Sequence, residues 1–194
     1  MNNPTDKWNE KYSTAELSTP AEPAWVLKHH AHLLPLRGSA LDLACGLGGN
    51  ARFLTRCGLH THAWDISSTA LQLLKKWGRV QNCVIETKLV DLTPSALVNV
   101  QFDVIVVSRF LDRTLLPGLV QALKPNGRLF YQTFLAPVQQ HAPQNPDFYI
   151  RSGEYQHYWA NDLSCDVYGE GWLNESIHQP KQRYAWYIGR KACR

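Results

Sequence analysis

A doubly wound α/β domain is the fold this sequence predicts, and three observations predict it. Strand-like apolar runs alternate with helical patterns through the first two thirds of the chain. A glycine-rich turn follows the first of those runs, and the last two strand-like runs lie too close together to enclose a crossover helix. The alternation implies a parallel sheet with helices on both faces. The closing pair implies a hairpin that supplies one antiparallel strand, in a sheet of seven strands.

Taken in order, Pro20 and Pro23 open a helix whose apolar positions Trp25, Val26, Leu33 and Leu34 share one broad face, stopped by Pro35 and Gly38. Residues 40–44 read as a short buried strand, ended by the glycines at 46, 48 and 49. Helical spacing follows over 50–57, with Gly58 as its stop. A strand over 61–64 leads into a helix over 67–77, where Leu71, Leu74 and Trp77 share a face. Residues 84–90 form a third strand. Residues 103–107 form a fourth, whose Val104-Ile105-Val106-Val107 run suits burial on both faces. A helix over 112–123 ends at Pro125-Asn126-Gly127, and a fifth strand covers 128–134. A Pro- and Gln-rich loop over 136–147 precedes a helix of about two turns near 153–159. Strands over 164–168 and 184–188 close the chain, with Gly169 and Gly171 read as part of the stretch between them. No repeat or linker divides the sequence, so residues 1–194 are read as one domain, with a helical cap over 1–35 and the sheet core from 38 onward.

Composition narrows the function. Apolar residues at 44% and charged residues at 19% are ordinary for a globular chain. The formal net charge of +4 is mild and its basic residues are scattered, which argues against tracking a nucleic-acid backbone. A weak positive field would still favour a small anionic ligand. Cys45, Cys57, Cys83, Cys165 and Cys193 have no paired spacing, so free thiols in a reducing compartment are expected. Residues 1–13 are polar, and no segment approaches the roughly 20 apolar residues of a membrane span. The expectation is a soluble cytoplasmic protein without a membrane or nucleic-acid partner. No heptad or long apolar stripe identifies an oligomeric interface.

The chemistry concentrates in Leu41-Asp42-Leu43-Ala44-Cys45-Gly46-Leu47-Gly48-Gly49-Asn50. The chain leaves a strand there, turns on glycines and enters a helix, so that unpaired N–H groups meet a ligand without an intervening Cβ atom. Gly46, Gly48 and Ala51 satisfy the dinucleotide pattern G-x-G-x-x-G/A, and Asp65 lies about 20 residues on, as a ribose-binding acid would. Three features oppose a dinucleotide. Asp42 stands beside the loop, where it would repel a pyrophosphate and attract a ligand carrying an ammonium and a sulfonium. Asp91 ends the third strand, where a carboxylate can accept from an adenine amino group. The closing hairpin does not suit an all-parallel dinucleotide sheet. A cationic adenosyl ligand fits better.

In residues 40–53, 63–71, 102–134 and 148–168 the chain resembles class I methyltransferases that use S-adenosylmethionine (SAM). Among these it is similar to the small bacterial enzymes of the tellurite-resistance type. The resemblance implies a Rossmann-like seven-stranded methyltransferase sheet, SAM as cofactor and methyl transfer to a small-molecule acceptor, with a thiol or a chalcogen oxyanion as the suggested class. It assigns Asp42, Gly46 and Gly48 to the methionine part of SAM, Asp65 to the ribose, Ile66 to packing on the adenine, and Asp91 and Leu92 to the adenine edge. Ala44, Asn50 and Ser108 complete the cofactor-binding set. Ala44 stands where glycine is common. Read as still inside the strand, its methyl group is expected to be tolerated. Asn50-Ala51 agrees with the tellurite-type group.

The residues after the fourth strand, which face the sulfonium and acceptor in such enzymes, are Ser108-Arg109-Phe110-Leu111. This is not the (Asn/Asp)-Pro-Pro-(Tyr/Phe) run of base-amine methylating enzymes. The similar Asn145-Pro146-Asp147-Phe148 follows the fifth strand instead, and no Pro-Cys nucleophile is present, so nucleic-acid bases are not expected acceptors. A thiolate, selenite or tellurite would need no protein base; a hydroxyl or ammonium would, with Tyr131 and His141 as candidates. Arg109 and Arg113 are either solvated, paired with Asp112, or placed to hold an anionic acceptor, and Tyr149 and Arg151 lie where acceptor-binding groups often fall. His29, His30 and His32 cannot converge on a metal at their spacing, and no metal is expected. Cys45 reads as a small buried hydrophobe. Trp8 and Tyr12, one helical turn apart, belong either to a lid over the cofactor or to simple packing on the core. An intact glycine loop would equally serve a non-catalytic SAM-binding regulatory protein, and the dinucleotide pattern keeps a nicotinamide-dependent oxidoreductase as a third reading.

Overall fold

The computed structural model describes residues 3–174 and 180–193. Two short helices, α1 (Pro4–Tyr12) and α2 (Trp25–His29), precede the sheet. The alternation expected from the sequence then follows as β1 (Ser39–Leu43), α3 (Gly49–Arg56), β2 (His60–Asp65), α4 (Ser68–Val80), β3 (Ile85–Leu89), β4 (Phe102–Ser108), α5 (Leu116–Gln121) and β5 (Leu123–Leu135). The chain closes with β6 (Tyr149–Ile150), α6 (Glu154–Trp159), β7 (Leu163–Leu173) and β8 (Gln182–Lys191).

The strands lie in the order β3-β2-β1-β4-β5-β8-β7, and the pairs from β3 through β5 are parallel. β8 runs antiparallel to β5 and to β7, which is the predicted closing hairpin. The eighth strand, β6, pairs two residues with the end of β5 (Phe134 with Tyr149, Leu135 with Ile150), too short a segment for periodicity to register. The chain order reverses between β1 and β4. The crevice at the carboxyl ends of β1, β2 and β4 is therefore where an open sheet of this kind receives a ligand.

Strand alternation divides the core. Leu41, Leu43, Ile105, Val107, Leu129 and Tyr131 pack with α5 and α6 on one face. Ala40, Val104, Val106, Phe130 and Ile188 meet Val26, Leu27 and Leu54 on the other. α4 seats Leu71, Leu74 and Trp77 against Ala51 and Ala63. Among the described residues no helix is long and apolar enough to cross a membrane. All five cysteines are free thiols.

Three elements differ from their sequence reading. The helix expected from Pro20 to Leu34 contracts to α2 and a 3-10 turn over Ala31–Leu33. The reason is tertiary: Ala24 N–H donates to Asn50 Oδ1 at 2.8 Å and Val26 N–H to Gln132 Oε1 at 2.8 Å, which fixes where the helix begins. Helix α5 is shorter than the expected 112–123, because an Asx turn at Asp112 precedes it and β5 begins at Leu123. Gly169 and Gly171 lie within β7 rather than beyond it. Gly169 pairs with Trp186 of β8, and a Cβ added there would collide with the Trp186 indole. The rest of the joining stretch includes residues 175–179, which lie outside the described residues.

The indole of Trp186 also packs on Trp25, with ring centroids 4.9 Å apart, so it has little freedom to move aside. Gly169→Ala is accordingly expected to destabilise the protein by about 1–3 kcal/mol, read as a lower urea midpoint with an unchanged slope. An unaltered midpoint would show that the indole swings away at no cost.

Candidate active site

β1 carries Asp42 into the interior, where it is 1% exposed. Its Oδ2 accepts from Ala51 N–H at 2.9 Å and its Oδ1 from Asn50 Nδ2 at 3.1 Å, so both oxygens bind the first turn of α3. Asn50 Nδ2 also donates to Ser108 Oγ at 3.0 Å, which ties β4 into the same cluster. Burial raises the Asp42 carboxyl from its usual 3.8 to about 7, against the opposing pull of the Asn50 and Ala51 hydrogen bonds.

Between β1 and α3 the backbone turns through left-handed conformations at Ala44 (φ 55°), Gly46 (φ 52°) and Gly48 (φ 76°). The expectation that Ala44 lies inside the strand is therefore corrected: β1 ends at Leu43, and Ala44 already occupies the region that favours glycine. An L-residue there carries strain of about 1–2 kcal/mol. The turn is held by Gly48 N–H donating to Cys45 O at 2.8 Å and Cys45 N–H to Trp64 O at 3.0 Å.

Asp65 ends β2 and is 7% exposed. Its Oδ2 accepts from Gly46 N–H at 2.7 Å and its Oδ1 from Ser67 N–H at 2.8 Å. Burial raises its pKa, while the amides of Ser67, Gly46 and Ile66 and the Lys11 ammonium pull it down. Asp42 and Asp65 thus brace the glycine loop from two strands. Ile66 follows, half-buried. Val90 N–H donates to Asp65 O at 2.9 Å and brings the next segment alongside; Asp91 in it is exposed, and Leu92 is half-buried against the main core.

Helix α1 lies over this loop. A Cβ on Gly46 would stand 2.6 Å from the Tyr12 hydroxyl oxygen. The helix is fixed by Asn9, whose Oδ1 accepts from Ser67 Oγ at 2.9 Å and Thr69 N–H at 3.3 Å at the start of α4. Trp8 and Tyr12 stack at 6.2 Å, with the Lys11 ammonium 4.3 Å from the Trp8 ring centre. The sequence does not single out Asn9, because Glu10 and Lys11 beside it are equally polar. Gln132, buried in β5, was also missed; the signal was an amide inside an apolar strand.

The candidates beyond the loop are placed differently. Arg109 has φ 53° and an exposed side chain at the end of β4, and its N–H donates to Gln132 O at 2.8 Å. Tyr131 is 1% exposed and its hydroxyl donates to Phe110 O at 2.7 Å; burial pushes its pKa well up. His141 is exposed in the loop after β5, with φ 63°, and its carbonyl accepts from Gln182 Nε2 at 2.6 Å. Arg113 pairs with Glu154 of α6, not with Asp112, through Nε–Oε1 at 2.6 Å and Nη2–Oε2 at 3.0 Å. Tyr149 is buried and donates to Pro143 O at 2.8 Å. Arg151 is exposed. The structure thus ties Asp42, Asn50, Asp65 and Ser108 to the loop that carries Ala44, Gly46 and Gly48, with Ile66 beside it, sets Asp91 and Leu92 one strand further, and commits Tyr131 to the core.

A mixed sheet in this strand order, with a braced glycine loop at its switch point, is the Rossmann-like methyltransferase fold. The crystal structure of TehB from Haemophilus influenzae superposes with a TM-score of 0.73 at 22% identity, over 96% of this chain and 66% of that one. A SAM-dependent methyltransferase structure from Methanosarcina mazei superposes with a TM-score of 0.69 at 17% identity, over 89% of this chain and all of that one (100%). The chain belongs to the tellurite resistance protein TehB family, which it matches over residues 4–166. A curated relative from Haemophilus influenzae, named "Probable S-adenosyl-L-methionine-dependent methyltransferase TehB", is 31% identical over 87 residues. That match covers 43% of this chain and 30% of the relative's length.

The raised Asp42 pKa has a thermodynamic consequence. The folded protein keeps a proton that the unfolded chain releases near pH 3.8, so the stability this proton provides is lost as pH rises toward 7. In the ligand-free protein, Asp42→Asn should remove that loss, on the order of 4 kcal/mol across the window. Urea unfolding at several pH values between those limits measures it. An identical pH slope in both proteins would mean that Asp42 is ionised throughout.

Proposed function

We propose that this chain binds SAM and transfers its methyl group to a small acceptor with a soft nucleophilic atom, a thiolate or a chalcogen oxyanion. The observation that carries the reading is the pair of buried carboxylates, Asp42 and Asp65, bracing a left-handed loop at the switch point of the sheet. The residues fit such a ligand. A carboxyl raised to about 7 by burial gains from a nearby cation, whereas a pyrophosphate would meet two acids. Gly46 leaves no side chain between the loop backbone and the Tyr12 hydroxyl.

On this reading Asp42, Ala44, Gly46, Gly48 and Asn50 hold the methionine part, Asp65 the ribose hydroxyls, and Ile66, Asp91 and Leu92 the adenine. Ser108 closes the site from β4. Bound SAM supplies a methyl group on a positively charged sulfur, already a good leaving group. The protein's contribution is alignment, potentially about 7–11 kcal/mol of barrier. α1, fixed by Asn9 and carrying Trp8 and Tyr12, acts as the lid that excludes water. Arg109 attracts an anionic acceptor at the end of β4. A soft acceptor agrees with Tyr131, whose hydroxyl is occupied by Phe110 O and is poorly suited to take a proton. The family description, tellurite resistance protein, agrees with a chalcogen oxyanion as acceptor. The working place of such an enzyme is the cytoplasm, without nucleic acid or membrane as partner.

Parallel isothermal titrations with SAM, S-adenosylhomocysteine and NADH test the cofactor, followed by turnover assays on thiols, selenite and tellurite. SAM and S-adenosylhomocysteine are expected to bind and NADH to give no heat. Asp65→Ala should weaken SAM binding by about 1–3 kcal/mol through lost charged hydrogen bonds, and unchanged affinity in the folded variant would refute the ribose assignment. SAM binding without turnover of any acceptor would mark a SAM-binding regulatory protein. NADH binding in place of SAM would mark a nicotinamide-dependent oxidoreductase.

A further inference from the structure

At the opposite end of β2 from Asp65 the strand opens on His60-Thr61-His62. Alternate residues of a strand point to the same face, so the two imidazoles stand side by side, with ring centroids 4.8 Å apart. In β3, Glu86 pairs in register with His62. Its carboxylate lies between the rings, with His60 Nε2 at 2.8 Å from Oε1 and His62 Nδ1 at 3.3 Å from Oε2. One donor atom from each of the three residues falls within 4.8 Å of the others.

We propose that His60, His62 and Glu86 form a binding site for a divalent transition-metal ion of the zinc class. Two imidazoles and a carboxylate suit this ion, which takes three protein ligands with water completing the tetrahedron. Ligand distances of about 2.0–2.1 Å place tetrahedral donors about 3.3 Å apart, and the three donor atoms, within 4.8 Å of one another, reach that spacing by small side-chain rotations. The surroundings supply both rigidity and access. His62 has a side chain only 22% exposed and an edge contact with Phe102 at 5.2 Å, so its ring is held. His60 and Glu86, at 58% and 54%, leave the site open to solvent. The competing role is a surface hydrogen-bonded pair, worth at most about 1 kcal/mol. Such a pair needs one histidine, whereas here two converge on one carboxylate from adjacent strands. The bound ion would clip the edge strand β3 to β2. This site is remote from the glycine loop along β2, and it stands independently of the methyltransferase reading.

The test is a titration of the untagged full chain with zinc chloride, followed by calorimetry and by the imidazole resonances in NMR. Saturable binding is expected, together with a raised Tm, because an ion that binds only the folded state stabilises it. The signals of His60 and His62 should shift while those of His29, His30 and His32 do not. The double variant His60→Asn/His62→Asn should lose affinity roughly tenfold or more, and Glu86→Gln should lose part of it, each with a native circular-dichroism spectrum. The partial exposure of these side chains makes the variants tolerable to the fold. Zinc affinity unchanged in the double variant, or no shift of the His60 and His62 signals at excess zinc, would overturn the proposal.

Discussion

The site depends on one buried carboxylate. Asp42 sits in the middle layer of the domain and gives both oxygens to the start of α3. The amide it satisfies would otherwise be unpaired in the interior. Asn50 extends the arrangement in two directions: its Oδ1 receives Ala24 N–H from the segment before α2, and its Nδ2 reaches Ser108 on β4. Three separate parts of the chain are thereby referred to one side chain. The left-handed loop between β1 and α3 has little freedom left, since Asp65 holds Gly46 N–H from the neighbouring strand. This is how a loop can be both glycine-rich and fixed.

Much of this is legible in the sequence, and what is not has identifiable causes. Periodicity found the parallel strands because burial on two faces produces unbroken apolar runs such as Val104 to Val107, all fully buried. The hairpin followed from the lack of room between two strands. The failures occurred where a distant partner overrides local pattern. Gly169 and Gly171 look like turn residues, but the space they leave is taken by Trp186 from β8. The α2 segment looks like a long amphipathic helix, but Gln132 and Asn50, far off in sequence, set where it starts. Asp42 and Asp65 could be picked out as acids at strand ends beside a glycine turn. Their bonding partners could not, because hydrogen bonds to backbone amides leave no trace in composition.

Ala44 shows how the same evidence can be read correctly in type and wrongly in place. The resemblance marks a position where glycine is usual, and placing it inside the strand makes alanine harmless. The backbone turns one residue earlier, at φ 55°, so the alanine is strained. Strain of this kind persists only where the surroundings over-determine the conformation. The surroundings here are Asp42 on one side and the Cys45 N–H to Trp64 O bond on the other. Rigidity of the loop and tolerance of a non-glycine residue are therefore the same property.

The charge pattern of the crevice bears on what the domain can bind. Two buried carboxylates bind the loop, and two cations act on its neighbours, Arg109 at the end of β4 on Tyr12 and Lys11 on α1 on Asp65. Such a layout separates a negative floor from a positive rim. A ligand that is cationic at its centre would be drawn to the floor, and an anionic second reactant would be drawn to the rim. Tyr131 takes no part in this layout, since its hydroxyl donates to the backbone of Phe110. The fold supplies the floor through β1 and β2 and the rim through α1 and β4.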